Sequence, residues 1–339
     1  IMPSLVGSEM CIRDRYGFRP GTHNAPADGG GLAVDYREVN LREDGSSRLV
    51  AYLLNPEVSY RCAKRRPCVI VCPGGGYVLR ATKEQEASAM RFAGAGYHTV
   101  VLQYPVYFAE RPEPGHEPVI NEDAHFPTQL EDLMRAMMWV HEHASSHAID
   151  IERIYVLGFS AGAHLAGTLA ERWDDPEMLA RIPGADSRLT KPRGVIMSYP
   201  MVDARAVLRR DPETIPESIA WQLPYFERAM LGAAPTEEEG FDHLDLVAHV
   251  RADMPRMFVW TTGGDQVAPP EAICRFAARA LEVGVPCELH LFEDGPHGLA
   301  LADESTAAVP ADVDSHVAQW VPMALAWLDK DRSGLGTER

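Results

Sequence analysis

The sequence predicts an α/β protein, a mainly parallel central sheet with helices on both faces. Three observations carry that reading. Short apolar runs lack polar alternation, as strands buried on both faces do. Segments of helical period separate these runs. A glycine run directly follows one of the strands, where a parallel sheet places its ligand loops.

The elements follow in chain order. Leu32–Leu41 and Arg48–Leu54 alternate like half-buried strands, and the polar turn Glu43–Ser46 joins them as a hairpin. Pro67–Cys72 is a fully apolar strand, followed by the glycine run and a helix over Lys83–Ala95. Tyr97–Tyr104 is the next strand. A Pro- and Glu-rich loop, Phe108–His125, leads to a helix over Thr128–Ser146, where Leu130, Leu133, Met134, Met137 and Met138 recur at helical spacing. Strand Ile154–Gly158, helix Ala161–Trp173 and strand Gly194–Ser198 come next. Asp203–His249 breaks the rhythm: it is acidic, carries Trp221, Tyr225 and Phe226, and has no strand pattern, so it reads as a helical cap insertion. Strand Met257–Thr262, helix Glu271–Val283, strand Cys287–Phe292 and helix Val313–Leu328 close the pattern.

Composition narrows the function. The 339 residues are 46% hydrophobic and 24% charged, an ordinary globular balance that excludes disorder or coiled coil as a global description. The length suits one large α/β domain with an insertion, or two small domains. A net charge of −17 repels phosphate backbones and anionic lipid, so neither nucleic acid nor membrane is expected as a partner. A homo-oligomer is left open. The six cysteines form no CxxC pair and no zinc spacing, and Cys68 and Cys72 lie in an apolar strand, which suits a reduced, cytoplasmic protein. Residues 1–15 show no helical or strand period, resemble the adaptor-derived tails of metagenome assemblies, and are read as a non-native scar. They lack the form of a secretory signal, although an original leader could be lost with the true start.

Gly158-Phe159-Ser160-Ala161-Gly162 matches G-x-S-x-G between a strand and a helix. That turn strains the serine backbone, needs small residues two positions away on each side, and raises the hydroxyl above the sheet at a helix N-terminus. A serine needs a base and the base an orienting acid, in chain order Ser, Asp or Glu, His, each past a strand end. Asp265 follows the strand ending at Thr262, and His297 follows the strand ending at Phe292. Asp294 is the rival acid, but an Asp three residues before the histidine more often forms a turn. His290 lies within a strand, and His164 points along its own helix. Cys72-Pro73-Gly74-Gly75-Gly76-Tyr77 supplies a loop whose N–H groups, with that of Ala161, would face a developing oxyanion. Neither G-x-G-x-x-G nor a P-loop pattern is present there.

PGGGY (73–77), FAGAGYHTVVLQYPV (92–106), ERIYVLGFSAGAHLAG (152–167) and VPCELHLFEDGPHGLAL (285–301) together resemble bacterial α/β-hydrolases of the acetyl-esterase and acetylxylan-esterase-like group. The resemblance runs from about Val39 to about Leu328. It implies the α/β-hydrolase fold over 16–330, with a cap at about 203–249 and a flexible tail at 331–339. It also implies Ser160 as nucleophile, Asp265 as acid, His297 as base, and Gly75, Gly76 and Ala161 as oxyanion donors, with no metal or organic cofactor. Pro73 stands where many relatives carry His, a departure that bears on how the loop is braced. The implied activity is a serine carboxylesterase removing acetyl or other short acyl groups, from xylo-oligosaccharides or other sugars. Tyr77, Trp221 and Tyr225 are the candidate substrate-binding residues, with Phe226 beside them. Packing of the cap onto the core is the competing role for the cap aromatics. Formamidase or peptidase chemistry on the same triad is the alternative, and a non-catalytic binding module a further one. The acidity concentrated in 108–125 and 203–249 favours a neutral, sugar-like ester.

Overall fold

A computed structural model of the chain describes residues 34–55, 65–112, 116–232 and 241–331. The expected scar, Cys62 and the last eight residues lie outside them. Eight strands form one sheet: β1 (Val34–Asn40), β2 (Arg48–Leu54), β3 (Arg66–Cys72), β4 (His98–Gln103), β5 (Ile149–Phe159), β6 (Gly194–Ser198), β7 (Arg256–Thr262) and β8 (Cys287–Phe292). Their order is β1-β2-β4-β3-β5-β6-β7-β8. β2 runs antiparallel to both β1 and β4, and β4 through β8 pair in parallel. The expected hairpin is present. Leu41 N–H donates to Ser47 O over 2.9 Å, and Asp44 Oδ1 accepts from Ser46 N–H over 2.9 Å inside the turn.

The connecting helices are α1 (Glu86–Gly94), α2 (Thr128–His147), α3 (Ala161–Arg172), α4 (Pro176–Ala180), α5 (Ser187–Thr190), α6 (Ala204–Leu208), α7 (Glu217–Ala220), α8 (Leu223–Leu231), α9 (Pro270–Glu282) and α10 (Trp320–Asp329). β3 shows why its sequence is apolar without alternation. Cys68, Ile70 and Cys72 point into one core with Leu130, Leu133, Leu165 and Phe276 of α2, α3 and α9. Val69 and Val71 point into the other, with Phe92 of α1 and Trp320 and Trp327 of α10. Both faces are therefore dry, and the side chains from Pro67 to Cys72 are all buried.

Some expected boundaries move; the strand expected from Ile154 begins at Ile149. The helix predicted from Val313 begins at Trp320, because Pro322 has no N–H to give and its ring would clash with a preceding turn. Asp314 Oδ1 instead accepts from His316 and Val317 N–H over 2.8 and 3.0 Å and closes a separate 3₁₀ turn. The helix predicted from Lys83 begins at Glu86, after a 3₁₀ turn over Thr82–Glu84. Asp331, at the start of the expected tail, accepts from Tyr155 over 2.6 Å and pairs with Arg193 and Arg256.

Within 203–249 the described residues form α6–α8 and turns. The segment is tied back to the sheet layer by Leu246 N–H on Val202 O and by His164 Nε2–H on Leu244 O, each 3.0 Å. Among the described residues, no helix is long and apolar enough to cross a membrane.

Candidate active site

The loops that leave β3, β5, β7 and β8 all open on the C-terminal edge of the parallel strands, where such sheets expose their ligand crevice. Ser160 ends β5 and starts α3. Its φ of 50° and ψ of −115° place a non-glycine residue in a region that side chains rarely occupy. The neighbouring glycines allow this. A Cβ at Gly162 would lie 2.1 Å from Cys72 O, and one at Gly158 would lie 2.1 Å from Gly162 O. Ser160 N–H is fixed on Ser198 O at 3.0 Å, and Ser160 O accepts from Ala163 and His164 N–H as α3 begins.

The elbow aims the hydroxyl at His297: Ser160 Oγ lies 2.9 Å from His297 Nε2. His297 Nδ1 lies 2.8 Å from Asp265 Oδ2. Asp265 Oδ1 accepts from Val267 and Ala268 N–H, both at 2.8 Å. With the carboxylate accepting on both oxygens, Nδ1 carries the ring proton and Nε2 is free to accept from the serine. Asp294, the rival acid, is exposed and accepts from Gly295 N–H over 2.8 Å, the turn-forming role its position suggests. His290 lies away on β8, bonded to Glu288 over 3.1 Å.

Burial of the imidazole pulls the His297 pKa down, but the charge of Asp265, its hydrogen bond and the charge of Glu84 outweigh this, and the net shift is upward.

The glycine loop packs directly on the nucleophile: a Cβ at Gly74 would lie 2.9 Å from Ser160 Cβ. Gly75, with φ of 116°, accepts from Val78 and Leu79 N–H over 3.1 Å and closes the turn. Among the described residues, the N–H groups of Gly75, Gly76 and Ala161 meet no acceptor, so the loop and the α3 N-terminus present free donors beside Ser160. Pro73, lacking a histidine side chain, is held from outside. The Tyr104 hydroxyl donates to Pro73 O, and Gly74 N–H donates to Glu84 Oε2 over 2.6 Å.

The candidate substrate residues divide. Tyr77 is fully buried, with its hydroxyl 2.8 Å from His164 Nδ1. Because His164 Nε2–H is committed to Leu244 O, Nδ1 accepts and Tyr77 donates. That bond joins the glycine loop to α3 and the cap. Trp221 is 44% exposed and stacks on Phe108 at 5.9 Å between ring centroids, with Tyr225 edge-on to both. Phe226 is buried, and its ring would meet a Cβ at Gly76 at 2.1 Å, so the cap rests on the glycine loop.

Two side chains that the sequence reading does not single out touch this machinery. Glu84, 2% exposed, accepts from Gly74 N–H and, over 2.8 Å, from the Tyr199 hydroxyl. Tyr199 lies just past β6, packs edge-on against His297 at 5.0 Å, and accepts from Ala300 N–H over 3.0 Å. Tyr199 shares the strand-end position of the other site residues, the one sequence signal that points to it. Glu84 has none.

The comparisons with known proteins bear on the fold and the family. The profile of the α/β-hydrolase fold family matches residues 123–301. Endo-1,4-β-xylanase B of Butyrivibrio fibrisolvens is 33% identical over 261 residues, 76% of this chain and 35% of that protein. Esterase LipQ of Mycobacterium tuberculosis is 24% identical over 78% of this chain and 56% of its own. The chain thus spans about a third to just over half of these curated relatives. Among solved structures, the acetyl ester-xyloside bifunctional hydrolase of Caldicellulosiruptor lactoaceticus is 26% identical, with a TM-score of 0.67 over 89% of this chain and 98% of that one. The carboxylesterase Cest-2923 of Lactobacillus plantarum is likewise 26% identical, with a TM-score of 0.66 over 88% and 97%. With an elbow serine, an eight-stranded mainly parallel sheet and a profile match over half its length, the chain belongs to the α/β-hydrolase fold family.

Proposed function

We propose that this protein is a serine carboxylesterase that removes acetyl or other short acyl groups from xylo-oligosaccharides or other sugars. The observation that carries the reading is the unbroken relay from Ser160 Oγ through His297 to Asp265, at 2.9 and 2.8 Å. A xylanase and an acetyl ester-xyloside hydrolase among the similar proteins favour a sugar ester.

The reaction is a double displacement. Ser160 Oγ attacks the ester carbonyl carbon while His297 Nε2 takes its proton. The N–H groups of Gly75 or Gly76 and of Ala161 receive the oxyanion, and losing one such donor costs roughly 3–4 kcal/mol of barrier. Collapse of the tetrahedral intermediate breaks the bond to the alcohol, which leaves with the proton from His297. Water then attacks the acyl-serine, giving its proton to Nε2, and the carboxylic acid departs as Ser160 regains its proton. Asp265 orients the ring and stabilises the imidazolium at each stage.

The test is a panel of p-nitrophenyl esters of rising chain length beside acetylated xylo-oligosaccharides, with wild type and Ser160→Ala. We expect turnover to fall as the acyl chain lengthens, and Ser160→Ala to lose about 10³-fold or more while staying folded. A Ser160→Ala protein that hydrolysed p-nitrophenyl acetate at the wild-type rate would remove the reading.

A further inference from the structure

We propose that Glu84 is a positioning residue that ties the oxyanion loop to the histidine loop and gives His297 a second carboxylate in addition to Asp265. The inference rests on the esterase reading and adds to it a residue outside the Ser-His-Asp set.

Glu84 sits in the 3₁₀ turn before α1 and is almost wholly buried. A buried carboxylate is costly unless its oxygens are filled. Each oxygen here is taken by a different part of the site. Oε2 accepts from Gly74 N–H at 2.6 Å, beside the proposed oxyanion donors. Oε1 accepts from the Tyr199 hydroxyl at 2.8 Å, and that oxygen accepts in turn from Ala300 N–H at 3.0 Å, three residues past His297. Tyr199 has φ of 39°, and its N–H is fixed on Trp260 O at 2.7 Å. One carboxylate therefore connects the loop after β3, the residue after β6 and the loop after β8. These three carry the oxyanion donors, the ring packed on His297, and His297 itself. A helix start that merely needed a cap would not require a carboxylate reaching ten residues back and 115 residues forward.

The charge matters as well as the bonds. Among the charged groups acting on His297, Asp265 and Glu84 favour the imidazolium and Lys83 opposes it; Ser160 and the Tyr199 ring are neutral. Lys83 also lies 3.4 Å from Asp312, which dilutes its effect. Burial pushes the Glu84 carboxyl up, and the Tyr199 hydroxyl, Gly74 N–H and the charges of His297 and Lys83 offset this only in part, so the net shift is upward. An ionised Glu84 stabilises the imidazolium that forms in each transition state. His297 must be neutral to accept the serine proton, so activity is lost as pH falls through its raised pKa. Removing the Glu84 charge moves that limb to lower pH.

The test is the rate at which a fluorophosphonate labels Ser160, followed against pH, in wild type, Glu84→Gln and Tyr199→Phe. Labelling needs the nucleophile, base and oxyanion donors but no natural substrate. For Glu84→Gln we expect a rate roughly 10- to 100-fold lower at the plateau and an acid midpoint lower by roughly half a unit or more. Tyr199→Phe keeps the charge and breaks the link, so its rate should fall while its midpoint does not drop. Unlabelled wild-type Ser160 would overturn the esterase reading and this proposal together. Labelled wild type, with a Glu84→Gln protein of unchanged rate and midpoint, would overturn this proposal alone. Should Glu84→Gln fail to fold, an unchanged labelling rate in Tyr199→Phe overturns it.

Discussion

Asp265 divides its two oxygens: one receives a pair of backbone N–H groups, the other receives His297. An Asn at this position would keep its carbonyl oxygen on the two N–H groups and turn its amide –NH₂ toward Nδ1. The imidazole would then carry its proton on Nε2, the wrong tautomer to accept from Ser160. Asp265→Asn should therefore fold normally and lose roughly 10³- to 10⁴-fold in kcat, measured with p-nitrophenyl acetate. At this scale the sequence was informative where a residue of the right chemistry follows a strand end in the chain order that a serine, an acid and a histidine require. Ser160, Asp265 and His297 were legible for that reason, and the structure brings all three within hydrogen-bond reach. Glu84 was not, because its meaning comes from contacts with Gly74 and Tyr199 that chain order does not reveal.

At the scale of elements, the nucleophile elbow is held open by the absence of side chains. Gly162 lies so close to Cys72 and Pro73 that an added methyl would meet both carbonyl oxygens, at 2.1 and 2.5 Å. These are backbone atoms of the glycine loop and cannot rotate away. Gly162→Ala should therefore destabilise the fold by about 1–3 kcal/mol, read as a fall in the urea midpoint, and should also lower the Ser160 labelling rate by displacing the loop. A variant of wild-type midpoint and rate would show that the loop moves freely. The G-x-S-x-G spacing announces this constraint in the sequence. The start of α10 was less legible: hydrophobic period extended the helix back to Val313, whereas Pro322 and the Asp314 turn limit it to Trp320.

For the whole molecule, the sheet order brings four loops, far apart in sequence, to one edge, and Phe226 of the 203–249 segment rests on the glycine loop there. The aromatics of 203–249 differ in burial, which the sequence could not separate. Phe226 is buried on Gly76 and packs the cap down, while Trp221 stays half open to solvent and stacks on Phe108. Trp221→Ala should cost only about 1 kcal/mol of stability and should raise KM for acetylated xylo-oligosaccharides more than for p-nitrophenyl acetate. Equal effects on both substrates, with a large loss of stability, would assign Trp221 to packing instead.

The sequence by itself determined the fold class, because buried parallel strands require unbroken apolar runs, and it determined the elbow and its partners, because that chemistry fixes residue types at strand ends. Tertiary structure alone decided how the glycine loop is braced without a histidine at Pro73 and that Tyr77 lies buried against His164. Those outcomes depend on hydrogen bonds between residues from 10 to 87 positions apart. Such bonds are set by the packing of whole layers and leave no periodicity along the chain.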